Sequence, residues 1–400
     1  MPYKKSLIIF LAFLILFEGF VIVVGDLRRP HWGDEGHFRD SIEYIGQDIG
    51  IETIKHYEEM STPLPFVAYA LWGQWFGFDL FHLRWLSIII AFICYLLFHR
   101  LLFVTIDNAR AVLLGAVFLV VQPYMIGFSI FVYTDMWAIL FIILGLLAHV
   151  RRRPLMLGLA MMLAILSRQY MVFFTVAAAL YYVIDYLDSR EFLSVKMLVA
   201  CALATLPYLA LVILWGGPSP DNQLRQIYLG RGLYFQPIVV TLYLCLLFAY
   251  HLPLLAFYLK RFYTDWRVII GSLVLSAWYF IFPVGPTQPS VDVGIPTVGL
   301  FNRFLRITFG DGFGVQLAFY ICFLLALPVF IFIVRDCYTR WRSRDLDLGF
   351  MMDLAILSFF VVMPFSYLGW EKYFMPAVPL VILRLLLLKY ERKIMPTVTR

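Results

Sequence analysis

"SLIIFLAFLILFEGFVIVVG", residues 6–25, followed by "HWGDEGHFRD" at 31–40, decides how this chain is read. The first stretch is apolar apart from Glu18 and long enough to cross roughly 30 Å of hydrocarbon as a helix. Lys4 and Lys5 precede it and no small-residue cleavage site follows, so it reads as a retained signal anchor. The second stretch crowds two adjacent acids and two histidines directly beyond the anchor, where a membrane surface would lie.

The rest of the 400 residues repeats the first pattern. Hydrophobic residues make up 62% of the chain and charged ones 14%, with 38 Phe, 24 Tyr and 10 Trp. Mean hydropathy is +0.84, outside the range of soluble domains. Repeated apolar runs of helical length imply an all-α polytopic membrane protein, and the short alternating segments of an outer-membrane barrel are missing. Further spans are expected at about 84–106, 111–128, 132–150, 155–167, 171–187, 197–215, 238–258, 268–283, 313–334, 348–366 and 374–389, twelve in all with the anchor.

The net charge of +6 comes from short basic clusters between runs, not from one block, so no nucleic-acid role is read. With Lys4 and Lys5 in the cytoplasm, every second loop is basic: Arg110, Arg151 to Arg153, Arg190 with Lys196, Lys260 and Arg261 with Arg267, then Arg335, Arg340, Arg342 and Arg344. The tail adds Lys389, Arg392, Lys393 and Arg400, which predicts both termini inside. The five cysteines, Cys94, Cys201, Cys245, Cys322 and Cys337, draw neither a disulfide framework nor a zinc site.

The opposite face carries the long segments 26–83, 216–237 and 284–312 of what reads as one transmembrane domain over 1–400, and chemistry is expected there. Segment 26–62 holds nine acids against four bases. A carboxylate base acting on a neutral hydroxyl suits such a field better than an unaided anionic phosphate does. Asp34 opens a helical pattern in which Phe38, Ile42 and Ile45 recur, so capping is the structural alternative for it. Asp135, in "FVYTDMWAIL", is an acid beside an apolar helix and a functional hint, with capping by Thr134 or Asp135 as its alternative. Arg168, Arg225, Arg231, Arg303, Arg306 and Lys372 are cations on the face where cations are rare, which phosphate binding would explain; salt bridging or headgroup contact is the alternative, weightier for Arg225 and Arg306 than for Arg168 and Lys372.

No P-loop, GxSxG, HExxH or dinucleotide fingerprint is present, so an activated donor embedded in the membrane is more natural than a nucleotide. In order along the chain, "GDEGHF", "STPLPFVAYALWGQWFGFDLFHLRWLS", "QPYMIGFSIFVYTDMWA" and "EKYFMPAVP" resemble the GT-C superfamily of polytopic glycosyltransferases that use polyprenyl-phosphate sugars. Within it the chain is most similar to the alpha-1,2-glucosyltransferase family of lipid-linked oligosaccharide assembly, as a compact prokaryotic-type relative with Asp135 where that family is expected to carry Glu.

The resemblance implies a GT-C-like fold with juxtamembrane helices in the first loop. It also implies inverting transfer of a hexose, glucose in that family, from a polyprenyl (or dolichyl) phosphate to a lipid-linked or cell-envelope glycan acceptor. Asp34 would be the base, with Glu35 and Asp135 as further catalytic acids. Arg168, Lys372 and Arg303 would hold the donor phosphate, and His37, Tyr133, Gln169, Arg231 and Glu371 the substrates. Asp34 and Asp135 have the oxygen ligands that Mg²⁺ or Mn²⁺ takes, but the resemblance implies no metal or other cofactor. Membrane lipids are the remaining partner. The expected location is a bacterial or archaeal cytoplasmic membrane, or the endoplasmic reticulum of a eukaryote, with an extracytoplasmic site. A transporter or flippase for a lipid-linked sugar is the competing class, and against it the sequence displays no matched pair of broken helices in two similar halves.

Overall fold

The computed structural model describes residues 2–222, 225–226, 235–292, 294, 298–366 and 368–391. Among the described residues there are helices and no strands, apart from one isolated bridge between Ile106 and Glu391. The order is α1 (Tyr3–Gly25), α2 (Glu35–Gln47), α3 (Ile51–His56), α4 (Leu64–Phe76), α5 (Leu80–Thr105), α6 (Ala109–Val120), α7 (Pro123–Ile130), α8 (Asp135–Val150), α9 (Pro154–Ser167), α10 (Val172–Ser189) and α11 (Phe192–Trp215). Then follow α12 (Pro237–Ala249), α13 (Trp266–Leu275), α14 (Leu300–Phe309), α15 (Phe313–Ser343), α16 (Leu348–Val362) and α17 (Val378–Tyr390), with shorter helical turns between them.

Every apolar run read from the sequence is helical, and the chain is an integral, multi-pass membrane protein. The count of twelve spans is not established, however. Among the described residues seven helices are long and apolar enough to cross a membrane, and nine if each of two bent pairs counts as one span. The remaining apolar helices, Asp135–Val150, Pro154–Ser167 and Trp266–Ile281, are shorter. At 1.5 Å per residue they cover only part of the hydrocarbon thickness.

The two bent pairs are α6 with α7, at 67°, and α12 with the helical stretch Leu252–Phe262, at 58°. Proline explains the first break: Pro123 opens α7 and cannot continue the hydrogen-bond ladder of α6. The breaks touch each other, since the Gln122 side chain donates to the Tyr250 carbonyl at 3.0 Å. Broken apolar helices, which the sequence did not display, are therefore part of this fold. The turn at Gln122 directs α7 back beside α1, a contact used below.

Packing places α8 against α9, α9 against α11, α10 against α11 and α16, and α12 against α15. In the span that ends with α17, 83% of the most apolar window is buried, against 22% in α1, so the last helix is central and the first peripheral. The long polar segment after α1 folds into α2, α3 and α4. In α2 the predicted apolar stripe Phe38, Ile42 and Ile45 is buried, with Phe38 edge-on to Phe66 of α4. The basic residues near the other helix ends pair with acids there: Arg384 with Asp353 and Asp336, Arg340 with Asp336 and Asp347, and Arg152 with Glu191.

Gln122→Ala removes the donor at the paired breaks and leaves a buried carbonyl unpaired. It is expected to lower stability by about 1–3 kcal/mol, read from thermal unfolding of the detergent-purified chain.

Candidate active site

The end of the bundle where α1 finishes is organised by a buried ion pair. Glu35, the first residue of α2, and Arg84, in the first turns of α5, are both fully buried. Arg84 Nη2 donates to Glu35 Oε2 at 2.6 Å and Nε to Oε1 at 3.0 Å, the two-point geometry that suits a guanidinium and a carboxylate. The same carboxylate accepts the Trp32 amide at 2.8 Å and the Val132 amide at 3.0 Å. The remaining donors of Arg84 reach the carbonyls of Leu27, Arg29 and Pro30 at 2.9, 2.8 and 3.3 Å. One ion pair thus fixes the 27–32 loop, the start of α2, α5 and the segment before α8.

Glu35, expected as a catalytic acid beside Asp34, lines neither of the cavities described below. Its two oxygens are occupied by four donors inside the protein, and its task is to hold the loop. Gly33 makes the turn possible. Its φ is +59°, and a β-carbon there would lie 2.6 Å from the Tyr133 hydroxyl, so a larger residue would be strained and would push the Tyr133 ring aside.

With the loop held, Asp34 faces outward. It does not cap α2, for its side chain accepts no backbone amide. Lys372 Nζ donates to its Oδ2 in a short contact, and His37 Nε2 stands 3.8 Å from its Oδ1. His37 Nδ1 in turn meets Glu59 Oε1 at 2.7 Å. Ammonium, carboxylate, imidazole and carboxylate therefore alternate in a row. The Lys372 ammonium also lies over three rings, Trp370 at 4.5 Å, Tyr133 at 5.5 Å and Tyr373 at 5.5 Å, an aromatic cage for a cation.

These contacts set the ionisation of the row. Burial pushes the Asp34 carboxyl up, but the charge of Lys372 and the neighbouring His37 outweigh it and hold the group well below the usual carboxylate range. Burial works to lower the pKa of His37, yet its contacts with Asp34 and Glu59 push it up to about 10. Burial raises Glu59, with His37 pulling against it.

Asp135 forms a second pair one layer deeper. Arg168 Nη2 donates to its Oδ2 at 2.7 Å and the Tyr170 hydroxyl to its Oδ1 at 3.0 Å. Neither Thr134 nor Asp135 caps α8 through its side chain. Gln169 donates to the Met60 carbonyl at 2.6 Å, tying the end of α9 to the α3–α4 connection. Glu371 is buried and accepts the amides of Phe301 and Asn302 at 2.7 and 2.8 Å and the Tyr250 hydroxyl at 2.9 Å. It holds the first turn of α14, and, although expected among the substrate contacts, it lines neither cavity described next.

Two cavities meet at Asp34. A polar one of about 700 Å³ is bordered by Asp34, His37, Asp40, Glu58, Glu59 and Arg168. An apolar one of about 830 Å³ runs between α1 and α7 past Phe17, Phe20, Val24, Ile126 and Phe131, and reaches Arg29, Arg303 and Lys372. Asp34, Trp370 and Lys372 border both. Of the expected phosphate ligands, Arg168 borders the polar cavity only, Arg303 the apolar one only, and Lys372 both. Tyr133 lines the apolar cavity, while Glu35, Asp135, Gln169 and Glu371 stand behind the walls. Arg231 lies outside the described residues.

The sequence reading missed Arg29, Arg84 and the Glu59–His37 contact. Arg84 carried a signal, a cation at the mouth of an apolar run, where an unpaired charge is costly. For a metal, Asp34 and Asp135 are each engaged by a cation of the chain. Among the described residues no group of three or more His, Cys, Asp or Glu is placed to hold an ion.

Residues 64–216, α4 to α11, match the DIE2/ALG10 family, a glycosyltransferase family of the kind the motifs resemble. The match includes Arg84, Asp135 and Arg168 but neither Asp34 nor Lys372. No curated protein matches the sequence. Among solved structures the chain is similar to ArnT from Cupriavidus metallidurans in the apo state, with 12% identity, a TM-score of 0.41, and coverage of 94% of this chain and 76% of that one. It is likewise similar to the same protein bound to undecaprenyl phosphate, with 13% identity, a TM-score of 0.41, and coverage of 96% and 77%.

Arg84→Ala strands a buried carboxylate and should cost about 3–5 kcal/mol, read from thermal unfolding. The ion pairs of His37 contribute fully below its unfolded pKa of about 6.5 and are lost as pH rises through its folded value of about 10. The melting-temperature advantage of the wild-type chain over His37→Gln should therefore be largest in mild acid and shrink steadily across that window. An advantage independent of pH would contradict the protonated His37.

Proposed function

We propose that this chain is an integral-membrane glycosyltransferase of the GT-C type. In this reading it moves a hexose, most consistent with glucose, from a polyprenyl-phosphate donor to a hydroxyl of a lipid-linked or cell-envelope glycan, on the extracytoplasmic side. The observation that carries the reading is the position of Asp34 and Lys372 on the shared border of a polar and an apolar cavity. A donor of this class has one end suited to each environment, a hydrocarbon chain and a sugar joined through a phosphate. The family match over 64–216 is consistent with the same class.

The apolar cavity between α1 and α7 suits the polyprenyl chain, with its phosphate against Lys372, Arg303 and Arg29. The sugar then lies toward Asp34, and the acceptor enters from the polar cavity, whose carboxylates favour neutral hydroxyls over anionic groups. Asp34 takes the proton of the attacking hydroxyl as its oxygen bonds to the anomeric carbon. The bond from that carbon to the phosphate oxygen breaks, and the electron pair leaves with the lipid phosphate, whose growing charge the cations stabilise. Attack from the face opposite the phosphate inverts the anomeric centre. Asp135 acts through Arg168 and Tyr170 by fixing the wall behind Tyr373, over whose ring the Arg168 guanidinium lies at 5.7 Å.

A carboxylate clamped by Lys372 is a weak base. A donor phosphate that draws Lys372 toward itself raises the proton affinity of Asp34 at the moment it is needed. Donor binding thus precedes acceptor activation in this scheme.

One observation favours a second reading, a transporter for a lipid-linked sugar: the two broken apolar pairs joined through Gln122 and Tyr250. Purified chain reconstituted with radiolabelled polyprenyl-phosphate hexose and a glycan acceptor extract separates the two. Transfer of label to the acceptor, reduced by Asp34→Asn by about 10²–10⁴-fold, supports the enzyme. Movement of label across the bilayer without transfer, indifferent to Asp34, supports the transporter.

A further inference from the structure

α14, "LFNRFLRITF", is ten residues long and divides into three faces. Phe301, Asn302 and Leu305 pack inward, with Phe301 edge-on to Phe319 of α15 at 5.7 Å. Across the helix from that face, Leu300, Phe304 and Ile307 follow one another at helical spacing and stand 40%, 59% and 86% exposed. Arg303 and Arg306 form a stripe between the two. Phe309, at the end of the helix, and Phe313, at the start of α15, are also exposed.

Such a helix is too short to span hydrocarbon, at about 15 Å, and its outward face is too apolar for water. A lipid surface satisfies both constraints, since an amphipathic helix lying in the headgroup layer buries its apolar face and leaves its cations at phosphate depth. Its surroundings point the same way. α15, next in sequence, is a 31-residue apolar helix, and Gly310 and Gly312, both with positive φ, turn the chain from one into the other.

The other end of α14 is fastened to the site. Glu371 accepts the amides of Phe301 and Asn302, and it directly precedes Lys372. Gly299, at φ +146°, runs so close to this junction that a β-carbon would lie 2.4 Å from the Tyr124 hydroxyl and 2.6 Å from Glu371 Cδ. No carboxylate lies within salt-bridge distance of Arg303 among the described residues, and Arg303 borders the apolar cavity that Lys372 also borders.

We propose that α14 docks in the membrane surface as the sill of the apolar cavity, and that docking, fixed to the site through Glu371, holds Arg303 at the height of a lipid phosphate. The docking half stands independently; the role of Arg303 toward the donor rests on the transferase reading.

The test places a bimane fluorophore on Ile307→Cys, in a chain whose native cysteines are replaced by alanine or serine, in nanodiscs of phosphatidylcholine and phosphatidylglycerol. Quenching by nitroxide-bearing lipid several-fold stronger than by aqueous iodide is expected, whereas Arg344→Cys, at the basic end of α15, should show the opposite order. Iodide quenching of the 307 label equal to that of the 344 label overturns docking. If the cysteine-free chain does not fold, a benzophenone amino acid at 307 in the otherwise native chain must crosslink to lipid, and its failure to do so overturns docking equally. These readings do not depend on any transfer activity. In the active chain, Ile307→Asp should raise KM for the lipid donor about tenfold with kcat nearly unchanged; an unchanged KM overturns the positioning of Arg303.

Discussion

The Glu35–Arg84 ion pair is the constraint on which the site depends. Two fully buried charges are tolerable only when each finds its partner and its remaining hydrogen-bonding capacity is filled, and here both conditions are met. Arg84 is anchored in α5, a 26-residue helix, so the 27–32 loop and the first turn of α2 inherit the rigidity of a membrane span. Asp34, one residue before Glu35, has no comparable support of its own. It is aimed because its neighbour is held.

What Asp34 is aimed at follows from where apolar elements stop. α1 ends beside it and α7 ends close by, its last residue Ile130 against Gly25 and the following Val132 amide on Glu35, and the space between the two helices is hydrocarbon-like. α2 and the α3–α4 connection supply carboxylates on the other side. The border between the two environments falls at Lys372, caged by Trp370, Tyr133 and Tyr373. A cation in such a position is shared between a carboxylate within the protein and any anion arriving through the apolar cavity. An anion that competes with Asp34 for this ammonium would release the carboxylate, so one lysine would link occupancy to basicity.

Much of this was legible in the sequence, for identifiable reasons. Apolar runs report helices directly, and the stripe Phe38, Ile42 and Ile45 reported the buried face of α2. The difference between Asp34 and Glu35 was not legible, because adjacent acids look alike until a helix turns them about 100° apart and one finds Arg84. The count of twelve spans is not established because hydropathy reports apolarity, while crossing also depends on length, and α8 and α9 are short. The broken pairs were hidden for a related reason: Pro123 is visible, but a 67° bend depends on what α7 packs against. Glu371 stood beside a cation in a family-like motif and suggested substrate contact. Its partners, the amides of α14, lie about 70 residues earlier in the chain, a separation no local pattern encodes.

A structure of the full chain with polyprenyl phosphate bound is the most direct test. The account predicts the hydrocarbon chain between α1 and α7, the phosphate between Lys372 and Arg303, and the Lys372 ammonium drawn off Asp34. A phosphate found away from that border, or a Lys372–Asp34 pair left intact with the lipid in place, would contradict it.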